Sequence, residues 1–168
     1  MTDNTHRAPV AARVLLVSFV AVAIGTIVWG FWVVSGVRQK ARDTDAALRA
    51  LAWAALCYKS ASGAWPDTDE SMRTTGEGWL CAERSARVEG TPATREAALA
   101  GLTAPASFDA ALVLARLTLP PASPGNPRVD ARGNPSGIGT LAEVNGWLAA
   151  AGAPATTSQA PTQDETHP

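Results

Sequence analysis

The sequence predicts an α+β fold that is mainly helical. An N-terminal transmembrane helix continues into a long amphipathic helix, and a small domain of short helices and a β-hairpin packs on that extension. Three observations support this prediction. Residues 14–37 are apolar and contain no charged residue. Residues 38–60 contain no proline and no glycine, and their apolar residues recur at three- and four-residue spacing. After residue 60, glycine and proline turn signals divide the chain into short elements.

The apolar stretch at residues 14–37 is long enough to cross a bilayer. As a helix with a rise of ~1.5 Å per residue it is about 36 Å long, against roughly 30 Å of hydrocarbon. Basic residues bound it, with Arg13 before it and Arg38 after it. A cleaved signal peptide is the alternative, but its apolar region normally spans ~7–15 residues. Membrane lipid is therefore the expected surrounding of this stretch.

The orientation of the chain in the membrane is predicted from two opposing features. Lysine and arginine counts on the two flanks nearly balance and lean slightly against export of the C-terminal part. A short N-terminal arm, however, is easily retained while a larger domain crosses. We expect a single-pass protein of the cell inner membrane. Its predicted segments are a cytoplasmic arm at 1–13, a transmembrane helix at 14–37, a helical extension at 38–60, a small extracytoplasmic domain at 61–151 and a disordered tail at 152–168.

Two cysteines, Cys57 and Cys81, both follow the apolar stretch. An even pair in a small exported domain favours a disulfide, which supports the extracytoplasmic placement. Two buried thiols in a reducing compartment are the alternative, because free cysteine is among the most buried residue types. The sequence leaves this choice open.

Several residues of the apolar stretch are candidates for contacts in the membrane. Small residues one helical turn apart let a second helix approach closely, which favours other membrane or envelope proteins as partners. The pairs are Ala21 with Gly25 and Thr26 with Gly30. Trp29 and Trp32 lie near the end of the stretch, where indole rings favour the membrane interface. Lipid-facing apolar bulk is an equally simple interpretation of both tryptophans.

The helical extension ends in a recognisable sequence. The residues 55–66 read ALCYKSASGAWP, in which glycine tolerates an exit turn and proline cannot continue a helix. A hydrophobic helix leading into this ending resembles type IV pilin-like proteins and the pseudopilins of type II secretion. The resemblance covers roughly the first seventy residues. It implies a structural or assembly role and a fold-back turn made by Tyr58, Gly63, Trp65 and Pro66.

The resemblance stops at the processing signal of that family. The family has a glycine, then a phenylalanine, then a glutamate inside the apolar stretch. This chain has APVAAR at residues 8–13 and no acidic residue in residues 14–37. The resemblance therefore implies a pilin-like shape and does not extend to processing or polymerisation. Any small domain anchored by a helix that ends in such a turn is the alternative.

The remaining elements follow from caps and turns. We expect a helix opened by Thr91 and Pro92 and running to about Leu102. A second helix, capped by Ser107, is expected over residues 108–117, although its alternation would also suit a strand. Two Gly-Asn-Pro turns bracket residues 128–131, which predicts a hairpin with Ile138 on the returning strand. Thr140 and Glu143 form a capping box that opens a last helix, running to about residue 151.

Little in the sequence indicates chemistry. The net charge of −1 offers no basic field for nucleic acid. The two histidines, His6 and His167, lie near the chain ends, so no Ser-His-Asp or Cys-His arrangement is expected in the domain. Asp67, Asp69 and Glu70 lack calcium-loop spacing and are expected to be solvated or to begin a short helix.

We therefore expect no enzymatic activity, no metal, no cofactor and no small-molecule substrate. A pilin-like or pseudopilin-like structural or assembly component is the first interpretation. A tethered protein-interaction module, or a small accessory subunit of a larger membrane complex, is the alternative.

Overall fold

A computed structural model describes residues 7–74, 78–84, 87–120 and 125–153. It confirms a mainly helical α+β fold with one long N-terminal helix and a two-stranded antiparallel sheet. The elements are α1 (Arg7–Ser62), α2 (Asp69–Thr74), α3 (Arg95–Leu99), α4 (Phe108–Leu114), β1 (Arg116–Thr118), β2 (Arg128–Asp130) and α5 (Thr140–Gly152). Residues 1–6 of the expected arm and 154–168 of the expected tail lie outside the described residues.

Helix α1 is unbroken over 56 residues and joins the expected transmembrane helix to its extension. It begins at Arg7, inside the segment that was expected to be a loose arm. It ends at Ser62, where Gly63 adopts a positive φ of 78° and donates its N–H to the Lys59 carbonyl at 2.8 Å. A left-handed residue just past the last turn satisfies an otherwise unpaired carbonyl and stops the helix.

The outer part of α1 is the centre of the domain. Every residue from Ala46 to Cys57 except Arg49 is buried, so all faces of this enclosed segment (residues 46–57) are covered. Helices α3, α4 and α5 and strand β2 surround it. The sequence predicted one apolar stripe with a domain on one side. That prediction missed the enclosure because the other faces carry alanines, which are apolar and small enough for neighbouring backbones to approach closely.

Two helices begin and end differently from their predictions. The N-cap of α3 is Thr94, whose hydroxyl accepts from the Ala97 N–H at 3.2 Å, and the predicted cap Thr91 lies outside the helix. Thr91 instead donates its hydroxyl to the Val88 carbonyl at 2.6 Å. Ser107 caps α4 by accepting from the Ala110 N–H, as predicted. Helix α4 stops at Leu114, however, and β1 takes up the strand-like end of that segment.

The hairpin was predicted with the wrong partner strand. Strand β2 pairs with β1, with Leu117 opposite Val129. The partner strand therefore comes before β2 in the chain, whereas the prediction placed it after β2, at Ile138. Ile138 belongs to no strand and is exposed. The other edge of β2 is occupied by the Asn145 side chain, which accepts from the Val129 N–H at 3.0 Å and donates to the Val129 carbonyl at 3.1 Å. An amide side chain thus replaces a third strand.

The predicted capping box of α5 is absent. The N-cap is Gly139 with φ 87°, and Thr140 is already the first helical residue, with no side-chain cap bond. Glu143 donates its N–H to the Gly139 carbonyl, but its carboxylate binds Arg49 of α1. A tertiary ion pair has therefore replaced the local reciprocal bond that the sequence favours.

Candidate interaction surface along the long helix

Residues 12–37 of α1, the bare segment, touch almost nothing else in the described chain. Its sixteen large apolar side chains between Val14 and Val37 are 41–75% exposed, whereas those of the enclosed segment are buried. Fully burying such a side chain is worth about 1.5–3 kcal/mol, so leaving all of them in water costs tens of kcal/mol. Monomeric soluble proteins do not carry an apolar patch of this size. Something must cover the bare segment.

The described chain contains one helix that is long and apolar enough to cross a membrane, Ala12–Ser62. Length and composition alone establish this property. The apolar run within it ends at Val37, where Arg38, Lys40 and Arg42 begin an exposed polar turn. The first fully buried residue after it is Thr44, whose hydroxyl donates to the Lys40 carbonyl at 2.8 Å. The change from bare to enclosed thus occupies about two helical turns.

The small residues of the bare segment lie on two faces. At 100° per residue, Ala21 and Gly25 are about 40° apart on one face, and Thr26 and Gly30 share a second face about 140° from the first. A Cβ added at Gly25 or Gly30 would meet no atom within 4 Å. The Thr26 hydroxyl donates to the Val22 carbonyl at 2.8 Å, so it carries no unpaired polar group toward a neighbour. Both faces therefore offer close approach to another helix.

Trp29 and Trp32 are 68% and 74% exposed. Trp32 lines a surface recess together with Val37, Lys40 and Pro135. The part of the domain that contains Pro135 therefore lies beside the end of the bare segment.

The loop at residues 134–139, here called the proximal loop, is fixed to α1 by a backbone donor. The Gly137 N–H donates to both carboxylate oxygens of Asp45, at 2.9 and 3.0 Å. A Cβ on Gly137 would lie 2.6 Å from Asp45 Oδ2, so only glycine permits this approach. Ile138, the next residue, is fully exposed. The loop thus holds an apolar side chain in solvent next to the start of the enclosed segment.

The predicted fold-back residues lie together at the far end of α1. Tyr58 and Trp65 are half-buried and pack against the core, and Pro66 is buried. Lys59 lies between the turn and α5, with Nζ 4.3 Å from the centroid of the Trp65 ring and donating to the Ala151 carbonyl. Burial lowers the pKa of Lys59. Sequence reasoning identified the turn residues but not Lys59, which connects the turn to the last helix.

Cys57 and Cys81 are paired as a disulfide, with Cα atoms 6.3 Å apart. The bond ties residues 78–84 to α1, and Trp53 Nε1 reinforces it by donating to the Cys81 carbonyl at 2.8 Å. Both cysteines of the chain are used in this bond. The sequence left open whether these cysteines are a disulfide or two free thiols, and in the structure they are a disulfide.

Charged groups of the domain serve its architecture. Arg84 is buried, which lowers its pKa, and its guanidinium donates to the Thr91 hydroxyl at 2.9 Å. Arg73 bridges Glu70 of its own helix and Asp109 of α4, and these carboxylates raise its pKa despite the opposing effect of desolvation.

Within the described ranges no group of three or more acidic, histidine or cysteine side chains could hold a metal ion. Asp69 and Glu70 lie in the first turn of α2, as one of the two sequence interpretations expected.

Comparison of the chain with protein-family models, with curated proteins and with solved structures finds no match. The architecture itself therefore carries the argument for function: a long N-terminal apolar helix followed by a small helical and β domain.

Proposed function

We propose that this protein is a single-pass, membrane-anchored, non-enzymatic component of the cell envelope. One observation carries the proposal: a single unbroken helix changes from exposed apolar side chains to complete burial between Val37 and Ala46. Lipid is the surrounding that makes sixteen bare apolar side chains favourable instead of costly. In this proposal the N-terminus is cytoplasmic, and the disulfide supports an extracytoplasmic domain because such bonds persist in oxidising compartments.

Within that class we propose a structural or assembly role of the pilin-like or pseudopilin-like kind. The two small-residue faces of the bare segment support it, since a subunit with two different contact faces can join an array with a neighbour on each side. The domain encloses residues 46–57 of α1 and leaves the bare segment free for such contacts. The missing processing signal means that the proposal concerns shape and packing and does not require cleavage.

Site-directed disulfide crosslinking in membranes tests the assembly role. Because both native cysteines are bonded, Gly25→Cys and Gly30→Cys each introduce one free thiol on a different face. Phe31→Cys, about 100–120° from both of those positions, is the matched control in the same part of the helix. We expect crosslinked species of higher mass from Gly25→Cys and Gly30→Cys, and little from Phe31→Cys. Monomer alone at all three positions would contradict the assembly role.

A tethered interaction module is the second candidate, and one feature of the domain favours it. Leu80, 69% exposed, borders a surface recess that Leu99 and Leu102 also line. In that case the anchor only localises the domain, and the recess would receive an apolar segment of a partner protein. A Leu80→Asp variant would then lose the partner while crosslinking along α1 stays unchanged. The assembly role predicts that Leu80→Asp changes neither the function of the protein nor the crosslinking along α1.

A further inference from the structure

The proximal loop lies at the height where the bare segment ends. Pro135 shares a recess with Trp32, Val37 and Lys40, and Gly137 is bonded to Asp45. Asp45 is eight residues beyond Val37, about 12 Å along a helix. If Val37 marks the edge of the hydrocarbon, the loop extends from that edge to about 12 Å above it. The headgroup layer, about 5–8 Å thick on each side, covers the lower part of this interval, at the level of Pro135. Ile138, next to Gly137, lies at the upper end, and a tilt of α1 toward the loop lowers it to the layer. An apolar run of about 36 Å in a hydrocarbon core of roughly 30 Å favours such a tilt.

The composition of the loop and of the adjoining helix suits an interfacial position. Ile138 has the largest exposed fraction, 108%, of any large apolar side chain in the described part of the chain. Exposed Arg38, Lys40 and Arg42 lie at about the same height on α1 with one exposed acid, Asp43, and the net positive charge complements the phosphates of lipid headgroups. Trp32, whose indole favours the interface, lines the same recess as Pro135. The charge and the apolar side chain thus both fit one partner, a lipid surface.

We propose that the proximal loop is a second membrane contact, in which Ile138 inserts into the headgroup layer beside the anchor. The inference rests on the proposed anchoring and adds to it. A helix alone would let the domain tilt and rotate freely above the bilayer, whereas a helix and an inserted side chain together define its orientation. Because Gly137 is bonded to Asp45, the inserted residue is held rigidly relative to α1. The domain then presents one fixed face outward.

Environment-sensitive fluorescence of the full-length protein in lipid vesicles tests this contact. The protein is reconstituted into vesicles of phosphatidylethanolamine and phosphatidylglycerol, with and without a nitroxide attached to the headgroup. A fluorophore is placed on Ile138→Cys, an exposed position where substitution removes no packing. Leu80→Cys is the matched control, because Leu80 is also an exposed apolar residue. Its neighbour Cys81 is bonded to Cys57, about 18 Å farther along α1 than Asp45.

We expect the label at Ile138→Cys to emit at shorter wavelength in vesicles than the label at Leu80→Cys and to be quenched by the headgroup nitroxide. The label at Leu80→Cys is expected to show neither effect. Equal, water-like emission at both positions in protein that remains in the vesicles after alkaline washing would overturn the loop contact while leaving the anchor intact. Protein that washes off the vesicles would overturn the anchor and the loop contact together.

Discussion

Arg49 in the enclosed part of α1 and Glu143 in α5, ninety-four residues apart, form a two-pronged ion pair. Arg49 Nη1 and Nη2 donate to the two carboxylate oxygens at 3.1 and 2.6 Å. Nη1 also donates to the Ala98 carbonyl at 3.2 Å, and the guanidinium lies 5.4 Å from the centroid of the Trp147 ring. One side chain therefore joins the central helix to α3 and α5. It is the single residue of the enclosed segment that is not fully buried.

Removing this arginine should weaken the domain more than removing its acid. We expect Arg49→Ala to lower the free energy of unfolding by about 2–3 kcal/mol, because it leaves the Ala98 carbonyl and Glu143 without their donor. Glu143→Gln should cost about 1 kcal/mol or less, since the carboxylate is half-exposed. Chemical denaturation of the full chain in detergent, followed by tryptophan fluorescence, measures both.

The exposed Arg116 provides the control, and Arg116→Ala should change stability by about 0.5 kcal/mol or less. Equal, small effects of Arg49→Ala and Arg116→Ala would show that the ion pair contributes nothing to holding the helices together.

Two glycine-to-alanine substitutions should have opposite signs. Gly137→Ala places a Cβ 2.6 Å from Asp45 Oδ2, so we expect a loss of about 1–3 kcal/mol as the proximal loop shifts. Gly146 lies in α5 with open space around its Cα, and Gly146→Ala should stabilise by about 0.5–1 kcal/mol through helix propensity. Thermal unfolding in detergent compares the two. Similar behaviour of both variants would contradict the tight contact at Asp45.

Loss of the disulfide should destabilise the domain without dismantling its core. The bond closes a loop of 24 residues, which is worth about 3 kcal/mol in the chain-entropy model. The double variant Cys57→Ala with Cys81→Ala is therefore expected to have a free energy of unfolding lower by about 3 kcal/mol and to unfold at a lower denaturant concentration. When the wild-type protein is denatured directly from cells, maleimide should label its cysteines only after the disulfide has been reduced. Labelling without reductant would place the domain in a reducing compartment.

The pH dependence of stability should carry the signature of Lys59. Burial lowers the pKa of Lys59 in the folded state below 10.5, so the unfolded chain binds more protons as the pH approaches 10.5. The stability of the wild type relative to Lys59→Met should therefore rise as the pH increases toward 10.5. Denaturation of both proteins across alkaline pH measures this difference. A falling difference would mean that contacts of the charged amine with Trp65 and Ala151 outweigh its desolvation.

Local signals allowed most of the architecture to be predicted from the sequence. The continuity of α1 from the apolar stretch into its extension, its end near Gly63, the Ser107 cap and the helix from Thr140 all follow from hydropathy, proline and glycine placement and capping chemistry. These features depend on residues close together in the chain, so a single sequence contains the information that specifies them.

The remaining features depend on tertiary contacts, which local patterns do not encode. Glu143 has a better partner in Arg49 than in its own helix end, and Asn145 replaces the strand that Ile138 was expected to provide. The enclosure of α1 was missed because alanine fits both an exposed and a buried helix face. The proximal loop was missed because its bond to Asp45 spans 92 residues.

The central claim is that the bare segment crosses a bilayer and the enclosed segment carries the domain on its outer side. Alkaline extraction combined with protease treatment tests it most directly, using the wild-type protein with a C-terminal epitope in intact cells and in spheroplasts. The account predicts that the protein stays in the membrane pellet, and that protease removes the epitope only from spheroplasts. Release of the protein into the alkaline wash, or an epitope protected in spheroplasts until the membrane is dissolved, would contradict it.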